Sequence, residues 1–142
     1  MSDAPMFVDL LQAALRPVAR AVATELAVAD LTIDQWRVLR ALDGDVGRTM
    51  GEVAEAAQLT AATATRTVDA LVDRGLAYRH APETDRRQVV VVLAAAGGKL
   101  IARLDAVVRG AEHRALQALG IDSLHALRDV LSPVNERLAV TP

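Results

Sequence analysis

A mainly α fold with one small β-hairpin wing, arranged as a winged helix-turn-helix between N- and C-terminal dimerisation helices, is what this 142-residue sequence predicts. Three observations carry that prediction. Thr49 and Thr60 each open a helix, and the two openings lie close together with only Gln58-Leu59 as a turn between the helices. The second helix stops at Gly75, and two strand-like runs come next, Ala77 to Ala81 and Gln88 to Leu93, joined by the charged tip Pro82-Glu83-Thr84-Asp85-Arg86-Arg87. Outside this block, at both ends, apolar residues return at helical spacing.

The first element runs from Pro5 to Ala29, where Phe7, Leu10, Leu11, Ala14, Leu15, Val18, Val22 and Leu26 keep the rhythm of one buried stripe. Pro17 interrupts it, and proline inside a helix removes a backbone bond and clashes one turn back. A kink near residues 13 to 17, or a break into two helices, is therefore expected. Thr32 with Gln35 forms a capping box, and the helix it starts places Ile33, Trp36, Leu39 and Leu42 on one side before Asp43-Gly44-Asp45. Thr49 with Glu52 repeats that signature for a short helix, Met50 to Ala57, packed through Val53, Ala54 and Ala57.

Thr60 caps the next helix, which reaches about Arg74 and ends at Gly75 in a position suited to a left-handed cap. After the hairpin and Gly97-Gly98, a long helix carries Leu100, Ile101, Leu104, Val107, Val108, Ala111, Leu116 and Leu119 until Gly120 breaks it. A final helix holds Leu124, Leu127, Val130, Leu131, Val134 and Leu138, with Ser132-Pro133 as a point where it can restart. The length fits one domain over 1–142, with residues 5–30 and 98–140 as dimerisation helices and 32–96 as the winged lobe. Three helical segments at the ends exceed what a small winged core needs for cover. Two chains packing those segments together explain the stripes better, so a homodimer is expected, which also suits a two-fold DNA site.

Composition narrows the function. Phe7, Trp36 and Tyr78 are the only aromatic residues, so the core is aliphatic and stacking platforms for single strands are missing. The chain has no cysteine, which removes disulfides, thiolate metal sites and thiol chemistry. The opening segment carries Asp3 and Asp9 without a basic start, and the longest apolar run, Val89 to Ala96, is far short of the ~20 residues needed to span a bilayer. A cytoplasmic location, with no membrane partner, is the expectation. Net charge is −2, yet it is unevenly spread: residues 1–59 sum to −4, residues 60–90 to +1 and residues 91–142 to +1. The basic signal is local, confined to the chain from Thr60 onward.

Around the helix that starts after Thr60, a step of ~100° per residue with Val68 at the buried centre sets Ala64, Leu71 and Val72 beside it. Ala62, Thr63, Arg66 and Ala70 then face away. That outward face suits contact with base edges: arginine can donate twice to guanine, threonine can bond a base or phosphate, and an alanine methyl can touch a thymine methyl. An ordinary solvated helix face is the competing account of the same residues. Arg86 and Arg87 tip the comparison, because on a loop too polar to pack they lie where a wing reaches phosphates or the minor groove. The candidate DNA-binding residues are Thr60, Ala62, Thr63, Thr65, Arg66, Arg86 and Arg87.

The stretches LTIDQWRVLRAL, TMGEVAEAAQLTAATATRTVDALVDRGLAYR and ETDRRQVVVVL, the last followed by Gly97 and a helix, closely resemble the MarR family of bacterial transcriptional regulators. The resemblance spans about residues 7 to 138. Its most specific parts are Thr65-Arg66 before Val68-Asp69, the helix end Leu71-Val72-Asp73-Arg74-Gly75-Leu76, and Asp85-x-Arg87. It implies a dimer with interlocked terminal helices on a pseudo-palindromic operator in double-stranded DNA, with the recognition helix in the major groove. It further implies that Arg87 enters the minor groove and that Asp85 braces the wing, and it suggests that Asp69 pairs with Arg87 to couple wing and helix. Two departures stand out: Ala94 replaces a capping threonine, and Gln58 replaces a turn glycine.

Many members of that family respond to small ligands, often aromatic acids, so a repressor released by an aromatic or hydrophobic effector is expected. Trp36 and Arg37 are the candidate ligand-contacting residues, with core packing the other role open to Trp36. No cofactor is expected. Three rival classes fit less well. An enzyme lacks footing because His80, His113 and His125 stand singly, with no serine or cysteine beside a base. A metal sensor lacks it because His113 has Arg109 and Gln117 four residues to either side. A winged-helix dimer acting through protein-protein contacts, as an antirepressor does, would have no reason to present Arg66 and Arg87 together.

Overall fold

The computed structural model describes residues 4–44 and 46–121, together with 125–126, 128–129 and 131–133. Its elements run α1 (Phe7–Ala27), α2 (Ile33–Leu42), β1 (Arg48–Thr49), α3 (Met50–Ala57), α4 (Ala61–Asp73), β2 (Ala77–His80), β3 (Val90–Leu93) and α5 (Ala95–Ala118). The described pieces between 125 and 133 are helical, and the rest of the expected last helix, with any restart after Ser132-Pro133, lies outside the described residues. Two compact units emerge, one from Leu26 to Ala106 and one from the N-terminal 25 residues with those from Val107 onward.

The Leu26–Ala106 unit holds the core. Leu26, Val38, Leu39, Val53, Ala64, Val68, Leu71 and Val91 are all fully buried, with α2 and α3 against the middle strand of the sheet and α4 against β2. That sheet has three antiparallel strands in the order β1-β3-β2, with Ala77 opposite Leu93 and His80 opposite Val90. The strand β1 is an addition to the expected hairpin of β2 and β3. Its two residues pair with Val91 and Val90, and two residues are too few for an alternation pattern. Thr49 serves twice, as a ladder residue and as the cap of α3.

Local chemistry sets the ends of these helices. Thr32 and Gln35 exchange hydrogen bonds of 3.1 and 3.0 Å at the start of α2, and Thr49 and Glu52 do the same at the start of α3. The Thr49 backbone N–H, donating at 2.7 Å, and then its hydroxyl hold the Glu52 carboxyl below the ordinary glutamate range. At the end of α4, Gly75 takes a φ of +67° while its N–H donates to the Val72 carbonyl and the Leu76 N–H to the Leu71 carbonyl. This is a Schellman closure, and Gly120 builds a second one after α5 with a φ of +76°. Gln58 adopts the left-handed conformation, φ 56° and ψ 46°, so the turn between α3 and α4 keeps its shape without glycine at a steric cost of about 1 kcal/mol.

Leu76 then anchors the start of α5. Its carbonyl accepts from the Ala94 N–H at 3.0 Å, and a Cβ on Gly97 would lie 2.3 Å from the same oxygen. Glycine here serves close approach inside a helix: α5 begins at Ala95 and runs through Gly97-Gly98, two residues expected from the sequence to precede it. Ala94 supplies no side-chain cap.

In the other unit, α1 is one continuous helix with Pro17 inside it, so of the expected kink or break the break does not occur. Ala13 and Pro17 both face solvent, where water can take the carbonyl that the missing N–H leaves free. The first half of α1 exposes Phe7, Leu10, Leu11 and Leu15, each about half exposed or more. Glu25 and Arg114 meet at 3.5 Å. No described helix is long and apolar enough to cross a membrane.

Two stability measurements check this account. Gly97→Ala should lower the unfolding free energy from urea titration by about 1–3 kcal/mol, seen as a lower midpoint with an unchanged slope, because the new methyl overlaps the Leu76 carbonyl. The Glu52 contribution is fully present above the carboxyl's unfolded-chain pKa and is lost as pH falls through its lowered folded value. Urea titrations at neutral pH and below the ordinary glutamate pKa should therefore show Glu52→Gln losing less stability on acidification than the parent.

Candidate nucleic-acid interface

The helix α4 divides cleanly between a buried and an exposed side. Ala64, Val68 and Leu71 have no exposed surface and Thr67 is 8% exposed, while Ala62, Thr65, Arg66 and Asp69 face solvent and Thr63 and Ala70 are half-buried. Thr60 caps the helix by accepting from the Thr63 N–H at 3.2 Å, and its hydroxyl donates to the Thr63 hydroxyl at 3.0 Å. The Thr65 hydroxyl donates to the Ala61 carbonyl at 2.9 Å and the Thr67 hydroxyl to the Thr63 carbonyl at 2.7 Å. Thr65 thus keeps only acceptor capacity for a partner in solution, and Thr67 is a core residue.

Among the described residues the side chain of Arg66 enters no ion pair or hydrogen bond, and the same is true of Arg86 and Arg87. Between β2 and β3 the chain is exposed from Glu83 to Val89. The loop is shaped by its own backbone: the Asp85 N–H donates to the Pro82 carbonyl and the Gln88 N–H to the Asp85 carbonyl, both at 3.2 Å. The Asp85 carboxylate accepts from the Arg87 N–H at 3.1 Å, an Asx-type bond that fixes the loop tip and leaves the Arg87 guanidinium outside it.

Asp69 does not partner Arg87 here. Its carboxylate receives Arg79 Nη2 at 2.5 Å, so the link from α4 runs to strand β2 rather than to the loop tip. Arg79 is invisible to sequence reasoning because nothing in its spacing distinguishes it; only the strand register brings it to α4. The tether made by Arg74 is absent from the spacing for the same reason. From the C-cap of α4 Arg74 donates to the Asp30 carbonyl at 2.6 Å and the Ala29 carbonyl at 3.1 Å, which ties the helix end to the turn before α2.

The candidate ligand residues have structural occupations. Trp36 is 7% exposed in the core with the Arg40 guanidinium 6.0 Å from its ring centre, and Arg40 also pairs with Asp105 of α5. Arg37 pairs with Asp34 one turn back at 3.5 Å. An open hollow of about 350 Å³, bordered by Ala21, Thr24, Glu25, Ala111, Arg114 and Ala115, includes neither of them.

The family model that matches the chain is that of the MarR family, over residues 29–88. No curated protein matches in sequence. Among solved structures, the transcriptional repressor CouR bound to a 23-mer DNA duplex is 29% identical, covers 91% of this chain and 92% of its own, and superposes with a TM-score of 0.80. CouR from Rhodococcus jostii bound to p-coumaroyl-CoA is 22% identical, with 99% and 98% covered and a TM-score of 0.84. BpsR from Bordetella bronchiseptica, whose DNA binding is regulated by 6-hydroxynicotinic acid, is 20% identical, with 100% and 99% covered and a TM-score of 0.76.

Proposed function

We propose that this chain, whose residues 29–88 match the MarR family model, is a winged-helix transcriptional regulator of that family and a sequence-specific repressor that binds a pseudo-palindromic DNA operator as a homodimer. The observation that carries this reading is the pairing of a buried and an open side on α4: its apolar side is fixed in the core, and the opposite side offers Arg66 unpaired between small residues. Arg66 and Ala62, with Thr60, Thr63 and Thr65 around them, read base edges and adjacent phosphates in the major groove. Arg86 and Arg87 reach the minor groove or phosphates from the wing, and Asp85 braces it.

Residues 32–96 form the DNA-binding lobe, and residues 5–30 and 98–140 the dimerisation helices of one MarR-like domain. The half-exposed Phe7, Leu10, Leu11 and Leu15 support a second chain as their cover. Two recognition helices about one turn of B-DNA apart, ~34 Å, then meet half-sites ~10 base pairs apart. Repression follows from occupancy of the operator in the cytoplasm. An aromatic or hydrophobic effector, in keeping with the aromatic ligands of CouR and BpsR, releases the dimer by favouring lobe spacings that do not fit DNA.

Selection of bound duplexes from a random pool should return an inverted repeat with that spacing; a pool that stays random, or single half-sites, would count against the reading. With the selected duplex in a gel-shift titration, Arg66→Ala should cost ~1–3 kcal/mol and relax preference at one base pair per half-site. Arg87→Ala should weaken all sequences alike and flatten the salt dependence by about one unit of slope.

A further inference from the structure

We infer that Arg79 is a positioning residue for sequence recognition: by holding the Asp69 carboxylate it keeps the Arg66 guanidinium free to meet base edges. The inference rests on the reading of α4 as the recognition helix. Asp69 follows Arg66 by three residues, a spacing at which helix side chains are neighbours. Roughly 60° separates the two around the helix axis, so both stand on its solvent side. This chain forms an ion pair at that spacing, there with the acid first, between Asp34 and Arg37 at 3.5 Å on α2.

On α4 the outcome differs, because a stronger competitor reaches the carboxylate. Arg79 lies opposite Val91 in the antiparallel register of β2 and β3. Directly opposed residues share one face of a sheet, and Val91 is fully buried on the face that the helices cover. The register therefore aims Arg79 toward α4, where its Nη2 lies 2.5 Å from Asp69 Oδ1. Among the described residues Arg66 is left without an ionic partner.

The test uses fluorescence anisotropy on the full chain with the duplex selected from the random pool, comparing Arg79→Ala, Arg79→Lys, Asp69→Asn and the double variant Asp69→Asn/Arg79→Ala. Arg79→Ala should weaken binding roughly threefold to tenfold and blunt discrimination at the base pair read by Arg66, with an unchanged salt slope. Arg79→Lys should stay near the parent, and the double variant should recover to within about twofold of it. In the free protein, the Arg66 Nε–H resonance should shift and exchange more slowly in Arg79→Ala, and return in the double variant.

Binding that stays weak in the double variant, with a salt slope reduced by about one, would make Arg79 a direct phosphate contact and overturn the proposal. Parent-like affinity of Arg79→Ala, or an Arg66 resonance indifferent to it, would do the same. A parent that selects no duplex would instead defeat the recognition reading and this role in it, while the resonance would still report whether Arg79 controls the pairing of Arg66 with Asp69.

Discussion

Everything at the candidate interface depends on how one side of α4 is buried. Ala64, Val68 and Leu71 lose all contact with water, and at roughly 1.5–3 kcal/mol for each fully buried Val or Leu side chain they outweigh any single polar contact on the outer side. Because a helix is rigid, fixing that side also fixes the direction of Arg66. The guanidinium needs no partner of its own to stand away from the core. A rotation of α4 large enough to redirect it would expose the three apolar residues that hold it.

Both ends of α4 are set by short-range chemistry of a different kind. Thr60 closes the start through the Thr63 N–H, and the left-handed Gly75 folds Leu76 back onto the Leu71 carbonyl. Leu76 then passes the constraint onward, since its carbonyl receives the Ala94 N–H and is the atom that Gly97 approaches closely. One residue thus connects the end of α4, the start of β2 and the start of α5. Arg74 adds a tether in the opposite direction, to the carbonyls just after α1. The orientation of the helix is consequently determined at several points in addition to its buried side.

Charge works here by placement, and the net value of −2 conceals it. Two carboxylates near the interface have partners: Asp69 holds Arg79, and Asp85 accepts from the Arg87 backbone. The guanidinium groups of Arg66, Arg86 and Arg87 remain open to solvent. Around such groups the local field, rather than the total charge, governs what a charged partner would meet.

The sequence by itself determined the fold class, the two capping boxes, the Thr60 cap, the Gly75 stop and the split of α4 into a buried and an open side. Each of these is a matter of residues within about one turn of each other or of one repeating period, so spacing alone records them. The continuity of α1 through Pro17, the strand β1, the need for Gly97 and the partnership of Asp69 with Arg79 were decided only by the tertiary structure. The first turned on which side of the helix met water. The others join residues ten or more apart through strand register and close approach, and local sequence carries no trace of such a meeting until packing has set the elements beside one another.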